Sequence, residues 1–216
     1  MSIAIENFVK AIYNNNSHDA RNTKPGNIAK KLGISNAAAT DMAKKLAVKE
    51  LLHYQKYQEL QLTDKGKKMA LNIVRKHRLW ETFLSKKLHF NWDEVHEVAE
   101  QLEHIRSSKL IDRLDEFLGF PEFDPHGDPI PNANGDLPNS TAIILSDVPT
   151  NQKCKVVAVK DASSDFLKQL ARFDLKIGTT LHITERMPFD NSLLVKNGND
   201  EAFQLSEIIA SKLMVV

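Results

Sequence analysis

Apolar residues recur at helical spacing along the first half of the chain and at strand spacing along its last third. Ile3, Ile5, Phe8, Val9, Ile12 and Tyr13 share one face of a 3.6-residue period and predict an amphipathic helix to about Tyr13, ended by Asn14-Asn15-Asn16-Ser17. Pro25 stands where a helix begins, Ile28, Ala29 and Leu32 follow, and Gly33 closes that segment. Ser35 or Asn36 is placed to cap a third helix carrying Ala37, Ala38, Ala39, Met42, Ala43, Leu46 and Val48. Two short helices joined by a tight turn, Leu32-Gly33-Ile34-Ser35, predict a helix-turn-helix. Leu60 and Leu62 alternate with polar residues, and Tyr54 and Tyr57 favour extended backbone, so 51–62 reads as a β-hairpin. Thr63-Asp64 then opens a long helix through Met69, Ile73, Val74, Leu79, Trp80, Phe83 and Leu84. Helix, helix-turn-helix, hairpin and long helix, in that order, make a winged helix.

Asn91 or Asp93 is a plausible cap for a helix from about Glu94 to Ile105, and another runs from Ser108 to Leu118 before Gly119. Residues 120–138, rich in Pro, Gly, Asn and Asp, read as a loop or linker. Short apolar runs follow at 142–145, 156–159, 180–184, 192–195 and 213–216, with one short helix over 165–173. This is a separate small β domain, read as a barrel. The fold class is mostly α with a small β domain.

Composition adds little until it is divided along the chain. The 216 residues are 42% hydrophobic and 26% charged, with one cysteine, Cys154. No internal disulfide can form, no run is apolar enough to span a membrane, and the start does not read as a signal peptide, so a cytoplasmic setting is expected. The net charge of +1 hides a split. Residues 1–90 hold 17 basic and 7 acidic side chains, a net of +10, against a net of −9 for the rest. The basic part is a candidate polyanion binder, and a Lys-rich solvated surface is its bland counterpart.

The second helix of a helix-turn-helix enters the major groove with its first turns. That places Ser35, Asn36, Ala37, Thr40 and Asp41 near base edges, where Asn and Thr can hydrogen-bond and Ala can touch a thymine methyl. Lys30, Lys31, Lys44, Lys45, Lys56 and Arg21 would meet phosphates, which set affinity without reading sequence. The expected partner is double-stranded DNA.

Between His77 and His104 the chain is dense in metal-ligating types. His77 and Glu81 lie at i and i+4, and His96, Glu100 and His104 at i, i+4 and i+8, with Glu103 beside them. Carboxylates gathered on one face repel each other, and a divalent cation offsets that. Imidazole with carboxylate and no thiolate suits Mn(II), Fe(II), Co(II), Ni(II) or Zn(II). A solvated polar helix face is the alternative.

At this point the chain resembles the diphtheria toxin repressor family of metal-dependent regulators, iron-dependent and manganese-dependent. The match lies in residues 57–66 (YQELQLTDKG), 75–81 (RKHRLWE), 95–104 (VHEVAEQLEH) and 124–131 (DPHGDPIP). The resemblance implies a winged helix-turn-helix at 1–72, a helical metal-binding and dimerisation domain at 73–131, a linker at 132–141 and an SH3-like barrel at 142–216. It implies a homodimer on a palindromic operator, with metal as corepressor. One metal site would use Asn7, Glu100, Glu103 and His104. A second would use His77, Glu81 and His96, completed by Asp165 from the barrel.

Asn7 departs from the Met or carboxylate common at that position. Lys10 departs from the carboxylate of the manganese type, which favours two separated sites over a paired one. Glu100 replaces the cysteine of iron-type members, so Mn(II) is expected ahead of Fe(II), with Zn(II), Co(II) and Ni(II) as possible ions in vitro. No enzyme activity is expected, since neither paired Glu-x-x-His motifs nor His-Glu-x-x-His occurs. The rival readings are a metalloenzyme, a winged-helix regulator sensing a small organic ligand, and a protein-interaction adaptor.

Overall fold

The computed structural model of the chain describes residues 2–18, 23–198 and 202–216. Arg21, expected at a phosphate, lies outside them. The chain divides into two compact units, one of residues 1–77, 101–112 and 131–136 and one of residues 78–100, 113–130 and 137–216.

The first unit holds α1 (Ile3–His18), α2 (Pro25–Leu32), α3 (Asn36–Val48), β1 (Leu52–His53), β2 (Gln61–Leu62) and the first half of α4 (Asp64–Leu88). Phe8, Val9 and Ile12 of α1 pack with Ile28, Ala29, Ala39, Ala43, Leu46, Leu51, Leu52 and Leu60. Pro25 opens α2 and Gly33, at φ +64°, closes it in the left-handed conformation. Ser35 Oγ accepts from Ala38 N at 3.1 Å and caps α3.

Two expectations fail here. Helix α1 does not stop at Tyr13 but runs through the Asn triplet to His18. Asparagine costs a helix only roughly 0.7 kcal/mol against alanine, and Asn15 Oδ1 also accepts from Lys31 Nζ at 2.8 Å. The wing strands are only two residues each, and the tyrosines lie between them. Tyr57 sits at φ +69°, outside any strand conformation, and is 82% exposed.

Thr63 starts α4 by accepting from Gly66 N at 3.1 Å, while its own hydroxyl donates to Glu50 O at 2.7 Å. Gly66 therefore lies against the wing. A Cβ there would stand 1.9 Å from Leu51 O.

The second unit holds the rest of α4 and most of α5 (Val95–Leu102), half of α6 (Ser108–Phe117) and a six-stranded antiparallel sheet of the SH3-like kind, ordered β3-β8-β4-β5-β6-β7. The strands are β3 (Ile143–Ile144), β4 (Lys153–Val159), β5 (Thr180–Arg186), β6 (Leu193–Asn197), β7 (Ala202–Leu205) and β8 (Leu213–Val215). Cys154 pairs with Leu181 and Ile183 with Val195, so inward residues alternate along each strand. Helix α7 (Ser164–Arg172) seals the core with Phe166, Leu167 and Leu170. The sequence reading missed β7 and the four-residue α8 (Glu207–Ala210), which Ser206 caps.

The loop before the sheet is seated on β4. His126 O accepts from Val159 N at 2.9 Å, and a Cβ on Gly127 would lie 2.0 Å from Val157 O.

Exposed helical Gly→Ala changes usually stabilise, by about 1 kcal/mol. Gly66→Ala is expected to do the reverse and cost roughly 2–4 kcal/mol, as an overpacked backbone contact does. Denaturant unfolding checks it, and a variant at least as stable as the parent would refute the close approach.

Candidate metal centres and DNA-binding surface

Helix α5 ends at Leu102, so Glu103 and His104 lie in the turn that follows. The expected His96, Glu100, His104 stripe is thereby divided. His96 and Glu100 remain one helical turn apart, Nε2 to Oε1 at 3.5 Å, and His104 turns toward α1.

In the first unit the Glu103 side chain has no solvent exposure. Its Oε2 accepts from Lys10 Nζ at 2.6 Å and lies 2.6 Å from His77 Nδ1. His104 Nδ1 lies 2.7 Å from Glu6 Oε2, also on α1. Among the described residues of this unit two side-chain oxygens are buried with no hydrogen-bond partner, Asn7 Oδ1 and Glu103 Oε1. Unsatisfied buried acceptors are costly, at about 1–3 kcal/mol each. An oxygen-seeking cation would satisfy them, so the residues present fit a divalent ion. Glu6 was not singled out from the sequence, because its i−1 position beside Asn7 gave no spacing signal.

In the second unit Glu81 is the hub. Its Oε1 lies 3.2 Å from His96 Nδ1 and 3.9 Å from His126 Nδ1. His126 is buried, stacks on Trp92, and its Nε2 lies 2.7 Å from the Trp92 carbonyl. Only an N–H can face that carbonyl, so in the neutral imidazole the lone pair is on Nδ1, toward Glu81. Asp124 Oδ1 accepts from the backbone N–H of His126 at 2.8 Å and of Asp128 at 2.9 Å. Burial pushes the Asp124 carboxyl well above its usual range, and the charges of Glu81 and Asp128 push the same way, with Arg78 opposing. Glu81, Asp124 and His126 each offer a ligand atom within 4.8 Å of the others. Two buried carboxylates beside an imidazole lone pair again fit a divalent cation.

Asp124 and His126 went unassigned as ligands, although the Asp-Pro-His-Gly run holding them was visible. Asp165 is exposed in the first turn of α7 and belongs to none of the ligand clusters among the described residues. His77 is one turn from Glu81 on α4 and its Nδ1 lies 2.6 Å from Glu103 Oε2; His77, Glu81 and His96, grouped from the sequence, each offer a ligand atom within 4.8 Å of the others. Cys154 is buried in the sheet core, and burial raises its thiol pKa, which disfavours the thiolate.

The α3 side of the first unit is polar and open. Ser35, Asn36, Ala37, Asp41, Lys44 and Lys45 are exposed, as are Lys30, Lys31 and Lys56. Thr40 is half-buried and its hydroxyl donates to Asn36 O at 2.8 Å. Lys56 Nζ sits 4.8 Å from the centre of the Tyr57 ring at the wing. No helix of the described residues is long and apolar enough to cross a membrane.

A winged helix followed by helices with buried carboxylate and imidazole clusters defines a DNA-binding regulator with metal centres. Known families match in chain order. The iron dependent repressor N-terminal DNA binding domain matches residues 1–60, the iron dependent repressor metal binding and dimerisation domain residues 63–132, and the FeoA domain residues 143–216. A manganese-dependent transcriptional repressor solved in complex with manganese superposes with a TM-score of 0.87 at 32% identity, covering 98% of this chain and 99% of that one. The iron-dependent repressor IdeR of Mycobacterium leprae is 27% identical over 184 residues, 80% of each chain. A probable metal transport system membrane protein of Chlamydia trachomatis serovar D is 47% identical over 70 residues, and the matched part spans 16% of its length. The chain belongs to the diphtheria toxin repressor family of metal-dependent transcriptional regulators.

Gly127→Ala is expected to lower stability by roughly 2–4 kcal/mol, because the new Cβ forces the Asp124–His126 loop off β4. Thermal unfolding reads this. An unchanged melting temperature would show that the loop leaves β4 without cost.

Proposed function

We propose that this protein is a cytoplasmic, homodimeric repressor that binds a palindromic DNA operator when Mn(II), or Fe(II) in its place, fills its two centres, and so controls metal-ion homeostasis. The observation that carries the reading is the pair of unsatisfied buried oxygens, Asn7 Oδ1 on α1 and Glu103 Oε1 after α5. They stand on two separate elements, and one of these, α1, packs directly on the helix-turn-helix. The proposed parts are the DNA-binding region 1–72, the helical region 73–131, the linker 132–141 and the β domain 142–216.

The first centre would be held by Glu6, Asn7, Glu103 and His104, with Glu100 kept from the sequence reading. The second would be held by Glu81, His96, Asp124 and His126, with His77 one turn away on α4. The ion supplies positive charge that buried carboxylates need. Everything else falls to the chain. Glu6 and Lys10 tie α1 to His104 and Glu103, Asn7 would join them through the ion, and α1 carries the orientation of α3. An ion shifts such an equilibrium only through unequal affinity for the two arrangements. Carboxylate, amide and imidazole donors, with the one thiol buried in a sheet core, favour Mn(II) and Fe(II) over softer ions.

At the DNA, Ser35, Asn36, Ala37 and Thr40 would face base edges, and Lys30, Lys31, Lys44, Lys45 and Lys56 the phosphates. Two of the relatives named above, the manganese-dependent repressor and IdeR, are transcriptional repressors, which supports a regulator over a metalloenzyme.

The double variant Glu103→Ala, His104→Ala should lose metal-dependent operator binding while keeping its circular dichroism spectrum. Gel-shift titration with and without Mn(II) tests it, and normal metal dependence in the variant would sink the reading. Replacing Lys44 and Lys45 with Ala should weaken binding to all sequences alike and flatten the slope of log K against log salt by roughly 1 per lysine. A loss confined to one base step would contradict that assignment.

A further inference from the structure

Lys10 is a lysine in an uncommon place. It is 8% exposed, and lysine is almost never buried unless paired. Its Nζ donates to Glu103 Oε2 at 2.6 Å and lies 3.5 Å from His77 Nδ1. Glu103 has no exposure at all, and burying a carboxylate that deeply is costly without a compensating charge. The ammonium provides it at Oε2, while Oε1 has no hydrogen-bond partner and His104 Nε2 stands 3.7 Å from it. Asn7 lies three residues before Lys10 on the same face of α1, and its Oδ1 is likewise unsatisfied. The cluster therefore has two cation positions. One is filled by a side chain, and unsatisfied oxygens mark the other.

We propose that Lys10 is a tethered cation that holds one of these positions, so that the centre admits a single divalent ion and binds it more weakly than its carboxylates alone would. The inference rests on the reading that this centre takes a divalent ion. Counting charges gives its direction. Glu6, Glu100, Glu103 and Lys10 sum to −2, which one dication neutralises. Without the ammonium the carboxylates sum to −3 and hold the same dication more strongly. Lys10 thus sets the metal concentration at which the centre fills. With no ion bound, it also holds α1 to the turn after α5, so the metal completes a contact that already exists.

The test is an equilibrium Mn(II) titration of the metal-stripped, full-length protein by calorimetry. A Glu81→Gln background removes a ligand from the other centre. The parent should take one ion per protomer. Lys10→Met should bind that ion at least tenfold more tightly, and Lys10→Gln, which keeps a donor for Glu103 but no charge, should do the same. Lys10→Arg, which keeps the charge, should retain the parental affinity. The metal-stripped Lys10→Met protein should melt at a lower temperature than its parent and recover when Mn(II) is added. Unchanged or weaker binding in both neutral variants would overturn the proposal and leave Lys10 as a residue that only positions Glu103. A parent that takes no ion would overturn this proposal together with the metal reading of the centre.

Discussion

A carboxylate removed wholly from water forces its surroundings to supply positive charge, and Glu103 imposes that demand on everything near it. The side chain has no exposure and meets Lys10 and His77 at one oxygen. Breaking one partner of such a buried pair leaves an uncompensated charge and costs roughly 3–5 kcal/mol. The arrangement therefore fixes the register of α1 against α4 and the turn after α5. It also explains why α1 has two buried faces. Phe8, Val9 and Ile12 look into the hydrophobic core, and Glu6 and Lys10 reach the ionic cluster.

The centre around Glu81 solves the same problem without an internal ammonium. Arg78 Nε stands 3.8 Å from Asp124 Oδ2, and its guanidinium also reaches Asp128 Oδ2 at 3.4 Å. One guanidinium is shared among several carboxylates, and burial drives Asp124 toward the neutral form. His126 cannot relieve this as a donor through Nε2, because that N–H is committed to the Trp92 carbonyl. The first cluster has a fixed cation and two orphaned oxygens, and the second has surplus negative charge and an imidazole lone pair. These are different electrostatic routes to a place for a divalent ion.

Much of this architecture was legible in the order of residues. Helical and strand periodicities located the winged helix, the long α4 and the β domain, because those patterns record which side chains face a core. The Asn triplet misled because a weak local propensity yields to a tertiary contact, here Lys31 on Asn15. Tyr57 misled because strand propensity describes a half-buried pleated surface, and this residue is exposed in a left-handed turn. In the site, His77, Glu81, His96, Glu100, Glu103 and His104 announced themselves through spacing. The division of that run into separate clusters did not, because it depends on where α5 stops. Glu6, Asp124 and His126 stayed hidden as ligand candidates for a related reason. Their ligand partners in space are 43 to 98 positions away along the chain, and spacing within one helix carries no trace of such partners.

The energetic question for a regulator of this design is whether a contact at α1 can govern α3. Moving an equilibrium from 1:99 to 99:1 needs about 5.5 kcal/mol of differential binding. Two unsatisfied buried oxygens already represent roughly 2–6 kcal/mol of penalty that a bound cation would relieve. Transmission requires that α1 not slip on the helix-turn-helix while it is pulled. Phe8 and Ile12 are almost fully buried against Ile28, Ala39 and Leu46, and each large apolar side chain of that kind contributes about 1.5–3 kcal/mol. With Val9, equally buried in the same cluster, the apolar face contributes about 4.5–9 kcal/mol against roughly 2–6 kcal/mol of pull on the polar face. A displacement at Glu6, Asn7 and Lys10 moves α1, α2 and α3 together as one body instead of deforming the helix between them.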